Sequence, residues 1–129
     1  MAFGFDYLLY TCGERVRFVM SKGTTIKYHK LVRDRIPEII EASGKQCVSS
    51  ILDGNAYIAL LDAKLNEELN EYQESKSMEE LADLLEVMMA VAKARGSSIV
   101  EIESIRLEKA AKLGAFDKRI LLEEVRYDD

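Results

Sequence analysis

Acidic side chains gather twice in mid-chain, as Glu67-Glu68-Leu69-Asn70-Glu71 and as Glu80-Leu81-Ala82-Asp83. Both runs lie in helix-forming stretches. Acids three residues apart on a helix share a face about one turn apart, where like charges repel. Such a pair needs open water or a cation between its members. Four carboxylates on two neighbouring helices suit Mg²⁺ or Mn²⁺, hard ions that prefer oxygen and also bind phosphate-bearing ligands.

The elements that would position these acids follow from the spacing of apolar residues. A short helix is expected from an N-cap at Asp34 to about Ser43, with Pro37 in its first turn and Gly44 closing it. Gln46 to Leu52 reads as an extended piece, and Asp53-Gly54-Asn55 is turn chemistry in which Asn55 can cap the next helix. That helix runs from about Ala56 to Ser75, with an apolar stripe of Tyr57/Ile58, Leu61, Leu65, Leu69 and Tyr72. Ser77 caps a third helix, Met78 to about Arg95, stopped at Gly96. Ser98 caps a fourth, Ile99 to about Leu113, stopped at Gly114. Phe116 to Val125 forms a short turn or tail. Four helices with short links predict an all-α fold, a four-helix bundle preceded by a short extended N-terminal segment.

A local explanation exists for some of the acidic pattern. Glu80 follows Ser77 by three residues, the spacing of a capping box, and Glu101 repeats it after Ser98. Taken alone, Glu80 reads as a cap, and Glu67, Glu68 and Glu71 as a solvated face. The helical wheel argues otherwise. On the third helix Leu81, Leu85, Met88 and Ala92 define one apolar face. The row that begins with Glu80 and Asp83 continues through Val87, Ala90, Val91 and Ala94, which is apolar too. The helix is therefore expected to be buried on two sides, with two acids heading a buried row. Buried carboxylates require a metal, a basic partner or a shared proton. The short Ser75-Lys76-Ser77 link makes the second and third helices antiparallel neighbours, which brings the two acidic runs together.

Composition narrows the function classes. A chain of 129 residues is most economically one domain with room for a core. Its net charge of −5 argues against a nucleic-acid polymer as partner, because such a surface carries a basic excess. Cys12 and Cys47 are too few for a disulfide framework and read as reduced thiols of a cytoplasmic protein. No segment approaches the ~18 apolar residues of a membrane span. Residues 1–27 read as an N-terminal extension or short strand and 28–129 as the domain proper. Upstream of the domain, a pair of readings stands side by side. Met20-Ser21-Lys22 is a plausible start that would leave 1–19 as an upstream extension, while Val16, Phe18 and Met20 alternate as an ordinary strand would.

The pattern Glu67-Glu68-x-x-Glu71 followed by Glu80-x-x-Asp83 resembles the paired-acid motif of the all-α nucleoside triphosphate pyrophosphohydrolases. That superfamily includes MazG, the dimeric dUTPases and phosphoribosyl-ATP pyrophosphohydrolase. Upstream, Lys30-Leu31-Val32-Arg33-Asp34-Arg35-Ile36-Pro37-Glu38-Ile39-Ile40 resembles the opening motif of a MazG-like, phosphoribosyl-ATP pyrophosphohydrolase-like subgroup. The resemblance covers roughly Tyr28 to Leu122. The stretch between Glu71 and Glu80 is shorter than in MazG itself. Leu113-Gly114-Ala115-Phe116 stands where the subgroup tends to have an arginine and a second glycine before phenylalanine.

The resemblance implies Mg²⁺-dependent cleavage (or Mn²⁺) of a nucleoside triphosphate between its α and β phosphates. It implies Glu68, Glu71, Glu80 and Asp83 as metal ligands and Glu67 as the spare acid, a group behind the ligands or a water-orienting base rather than a direct ligand, with Glu86 structural. Phosphate oxygens also call for cations. Lys30, Arg33 and Arg35 precede the first helix, and Arg106, Lys109 and Lys112 share a face of the fourth. Each alone reads as solvated or locally paired, as Arg106 with Glu103. The resemblance singles out Lys109 as the basic residue nearest the phosphates. His29 reads as a surface residue, and Tyr57 and Tyr72 as core rather than base-stacking groups. The superfamily builds its sites in dimers or tetramers, and the apolar helix faces here agree with a homo-oligomer. Two alternatives stand beside a house-cleaning nucleotide pyrophosphohydrolase: the same chemistry on phosphoribosyl-ATP in histidine biosynthesis, and a non-catalytic acidic helical interaction module.

Overall fold

A computed structural model of the chain describes residues 23–128. The expected N-terminal strand, the alternative start at Met20 and Cys12 lie outside the described residues. Four α-helices and no strand are present among those residues: α1 (Ile36–Ala42), α2 (Gly54–Ser75), α3 (Met78–Ala94) and α4 (Ile99–Leu113). The all-α class is as expected. Gln46 to Leu52 pairs with no strand, and the segment after Phe116 makes a turn and then runs on without regular structure.

The helix ends show how local chemistry sets the boundaries. Asp53, not Asn55, caps α2: its Oδ1 accepts the Ala56 N–H at 2.8 Å, so the helix starts two residues earlier than the turn residues suggest. Arg35 rather than Asp34 occupies the N-cap of α1 and makes no side-chain cap bond; Pro37 sits in the first turn. Ser77 and Ser98 cap α3 and α4 through the N–H groups of Glu80 and Glu101, at 3.3 and 3.2 Å. Gly96 and Gly114 both take φ of +83° just past these helices, a backbone that an L side chain rarely adopts. Lys76 also takes a positive φ, +55°, between α2 and α3. Its N–H returns to the Tyr72 carbonyl at 2.7 Å while its ammonium lies over the Tyr72 ring.

With only Lys76 and Ser77 between them, α2 and α3 fold back as an antiparallel hairpin that packs along its length. Arg95, at the end of α3, reaches Asp62 in the first half of α2 at 2.7 Å, which pins the open end of the hairpin. Leu61 is 3% exposed at its centre, and burial of a leucine contributes about 1.5–3 kcal/mol. Val87 and Ala92 of α3 are buried too, and so is Ile36 of α1. By contrast, α4 touches α3 only briefly and buries none of its residues. The helices thus form one tight pair with two loosely attached members. A bundle closed around a shared core is not formed within the described residues of one chain.

Candidate metal centre

The hairpin brings the two acidic runs together at its closed end. One carboxylate oxygen each from Glu68, Glu80 and Asp83 lie within 4.8 Å of one another. Glu68 is the most enclosed polar residue among those described, at 2% exposure, and its Oε2 is buried without a hydrogen-bond partner. An orphaned carboxylate oxygen among other carboxylates is costly unless something cationic meets it. Removal from water is the main cause that pushes the Glu68 carboxyl up from its ordinary value, and Asp83 and Glu67 add to it against the opposing pull of Lys64. Glu80 is pushed up the same way, first by burial and then by Glu71, Asp83 and Glu68.

Glu71 is half-buried, and its carboxyl is also raised, by burial and then by Glu68 and Glu74. It is close enough to feel the cluster electrostatically but lies outside the group of three oxygens. Glu67 stands at the rim, its Oε2 3.9 Å from both Lys30 Nζ and Lys64 Nζ. Glu86 is exposed further along α3.

The capping box around Glu80 is only half made. Ser77 accepts from the Glu80 N–H, but the Ser77 N–H donates to Ser75 Oγ at 3.2 Å instead of to the Glu80 carboxylate. Ser75 thereby frees the Glu80 side chain for the cluster. At the start of α4 the carboxylate is engaged locally, since Glu101 Oε2 accepts from Ser97 Oγ at 2.6 Å.

The expected cations divide into two groups. Lys30 and Arg33 reach the acids from the segment ahead of α1: Lys30 pairs with Glu67, and Arg33 Nη2 donates to Asp83 Oδ1 at 2.6 Å. Arg35 instead pairs with Glu38 on its own helix. Lys109 and Lys112 are exposed on α4, where they line an open groove with Ile105 and Leu113. Arg106 pairs with Glu103 as expected; that bond raises the guanidinium's pKa and lowers the carboxyl's. His29 is exposed, and Tyr57 and Tyr72 are half-buried on the α2 stripe.

Lys64 is the site residue that the pattern of acids does not reveal. Its side chain is 15% exposed, and its Nζ lies 3.4 Å from Glu68 Oε1. The available signal is its position four residues before Glu68, the spacing that stacks an ion pair on a helix face. In a solvated helix that spacing is commonplace. What makes it matter here is burial.

No family model matches the chain, and no solved structure does. A stretch of 42 residues is 57% identical to a protein of Mycolicibacterium smegmatis (strain ATCC 700084 / mc(2)155) described as an uncharacterized protein. That alignment spans 33% of this chain and 43% of the other protein.

Proposed function

We propose that the chain is a divalent-cation-dependent nucleotide pyrophosphohydrolase, with Glu68, Glu80 and Asp83 holding the ion and Glu71 completing its surroundings. The observation that carries this reading is the meeting of one carboxylate oxygen each from Glu68, Glu80 and Asp83 within 4.8 Å, on a Glu68 side chain whose Oε2 is buried without a hydrogen-bond partner. All-oxygen donors of this charge suit Mg²⁺ or Mn²⁺. The nucleotide and the α–β bond rest on the resemblance of the Lys30–Ile40 segment and the paired acids to the MazG-like enzymes.

An ion bound there would supply Lewis-acid stabilisation of charge on phosphate oxygens. The chain's own residues would do the rest. Glu67, on the rim of the cluster, would accept a proton from the attacking water. That water's oxygen bonds to a phosphorus as the bridging P–O bond breaks, releasing a monophosphate and pyrophosphate. Lys30 and Arg33, which pair with Glu67 and Asp83, would meet phosphate oxygens, and Lys109, Lys112 and Arg35, which form no ion pair with these acids, would be further phosphate contacts. The apolar surface left open on α3 and α4 supports a homodimer or homotetramer in which the bundle is completed between chains.

Pyrophosphate release measured over a panel of nucleoside triphosphates and phosphoribosyl-ATP tests the reading. Mg²⁺-dependent release that is lost in Glu68→Gln and Asp83→Asn is expected. Absence of release from every member of the panel, in protein that binds the ion, would leave a binding module instead of an enzyme.

A further inference from the structure

Two ligand carboxylates of the cluster are each already held by a cation through one oxygen. Lys64 Nζ lies 3.4 Å from Glu68 Oε1, while Glu68 Oε2 is the buried oxygen without a partner. Arg33 Nη2 donates to Asp83 Oδ1 at 2.6 Å, which leaves Asp83 its second oxygen. The two clamps come from different places. Lys64 is built into α2 one turn before its partner; Arg33 comes from the segment ahead of α1, far from Asp83 in sequence.

A carboxylate with one oxygen drawn to a cation in this way offers the other oxygen to an ion first, and two-oxygen ligation becomes less favourable. Ion classes differ in how they respond to that. Ca²⁺ takes six to eight oxygens and commonly engages carboxylates through both, whereas Mg²⁺ holds about six at short range, uses one oxygen per carboxylate and keeps several waters. A nearby ammonium or guanidinium repels any divalent cation, but that penalty is common to ions of equal charge. It therefore cancels in a ratio of affinities, and the geometric effect remains.

We propose that Lys64 and Arg33 set the ion class of this site: by holding one oxygen each of Glu68 and Asp83 they disfavour two-oxygen ligation and so favour a small, octahedral ion over Ca²⁺. This rests on the reading of Glu68, Glu80 and Asp83 as an ion site. Neither cation is a ligand; both are positioning residues that act through the carboxylates. Lys64 is largely enclosed beside the acid it holds, which suits a fixed element of the site. Arg33 is half-exposed, so its clamp is the weaker of the two.

The test is displacement of bound Mn²⁺ from the full-length chain by Mg²⁺ and by Ca²⁺, followed through the paramagnetic resonance signal of released Mn²⁺. The ratio of the two competition constants is compared among wild type, Lys64→Met and Arg33→Met. Arg95→Met serves as control, because its pair with Asp62 lies at the other end of the hairpin. Wild type is expected to favour Mg²⁺, and the ratio to move toward Ca²⁺ by about tenfold in Lys64→Met and by less in Arg33→Met, with Arg95→Met unchanged. A ratio that is the same in wild type and both variants overturns the proposal while leaving the ion site standing. Wild-type protein that binds no Mn²⁺ overturns both. Should Lys64→Met fail to fold, Arg33→Met carries the test, since its exposed side chain can be exchanged without opening the seam.

Discussion

Along α3, Val87 is buried on the row headed by Glu80 and Asp83, while Leu85 and Met88, on another face of the same helix, are 50% and 44% exposed. By apolar character the exposed side is the stronger, since it also carries Leu81 and Met78 and forms an apolar groove of about 330 Å³ with Ala82 and Leu84. The closed side is made of smaller residues and headed by two acids. The contrast shows that hydrophobicity alone does not decide which face a hairpin closes on. α2 presents Leu61 together with Glu68, and the row of α3 that meets both is the one beginning with Glu80 and Asp83. The larger apolar face is left for another surface, which the proposed homo-oligomer supplies as a second copy of the chain.

That difference can be broken from either side. Val87→Asp would place an unpaired charge in the closed seam and is expected to cost several kcal/mol, enough to abolish the cooperative loss of helical circular dichroism on heating. Leu85→Glu is expected to leave helix content intact and instead to convert an oligomer into monomer in light scattering coupled to gel filtration. A monomeric wild type, or an oligomer indifferent to Leu85→Glu, would remove the reason for assigning the open face to a second chain.

The acids on the closed side give a pH dependence of definite sign. Glu68, Glu71 and Glu80 titrate above the ordinary value of 4.5 in the fold. The folded protein therefore binds protons more tightly than the unfolded chain. The stability this contributes is complete below pH 4.5 and is lost as pH rises through the raised values. In chelator, Tm is expected to rise as pH is lowered from neutrality toward 4.5, with a shallower slope in Glu68→Gln. Added Mg²⁺ at neutral pH should restore the lost stability. Equal slopes in the two proteins would place the pH dependence elsewhere.

The smallest expected effect separates the cap of α3 from the cluster it leads into. Ser77→Ala should cost about 1 kcal/mol in thermal or urea unfolding, the usual worth of an N-cap, and leave ion affinity little changed. A large loss of ion affinity would mean that the cap also positions Glu80.

Much of this architecture is legible in the residues, and the remainder is set by tertiary packing. Ser77, Ser98, Gly96 and Gly114 mark helix ends because capping and positive-φ chemistry are local. Asp53 reads as a turn residue beside Asn55, since either side chain can cap and only the backbone path decides between them. The meeting of Glu68 with Glu80 and Asp83 follows from the two-residue link and the wheel. The choice of face on α3 does not, because both rows are apolar and the tie is broken by what α2 offers. Lys64 is inconspicuous for a related reason: a lysine four residues before a glutamate is ordinary until burial removes the water around it. Among the described residues the four helices do not close around one core, as α4 keeps its apolar residues Ile102, Ile105 and Leu107 exposed.

The central claim, that Glu68, Glu80 and Asp83 form a divalent-ion site, is tested most directly by calorimetric titration of Mn²⁺ into wild type, Glu68→Gln, Asp83→Asn and Glu86→Gln. Saturable binding is predicted in wild type and in Glu86→Gln, whose side chain is exposed along the same helix. A loss of about tenfold or more, on the scale of what removal of a charged ligand or its support costs, is predicted for the other two. No binding by wild type, or equal binding by all four proteins, would contradict it.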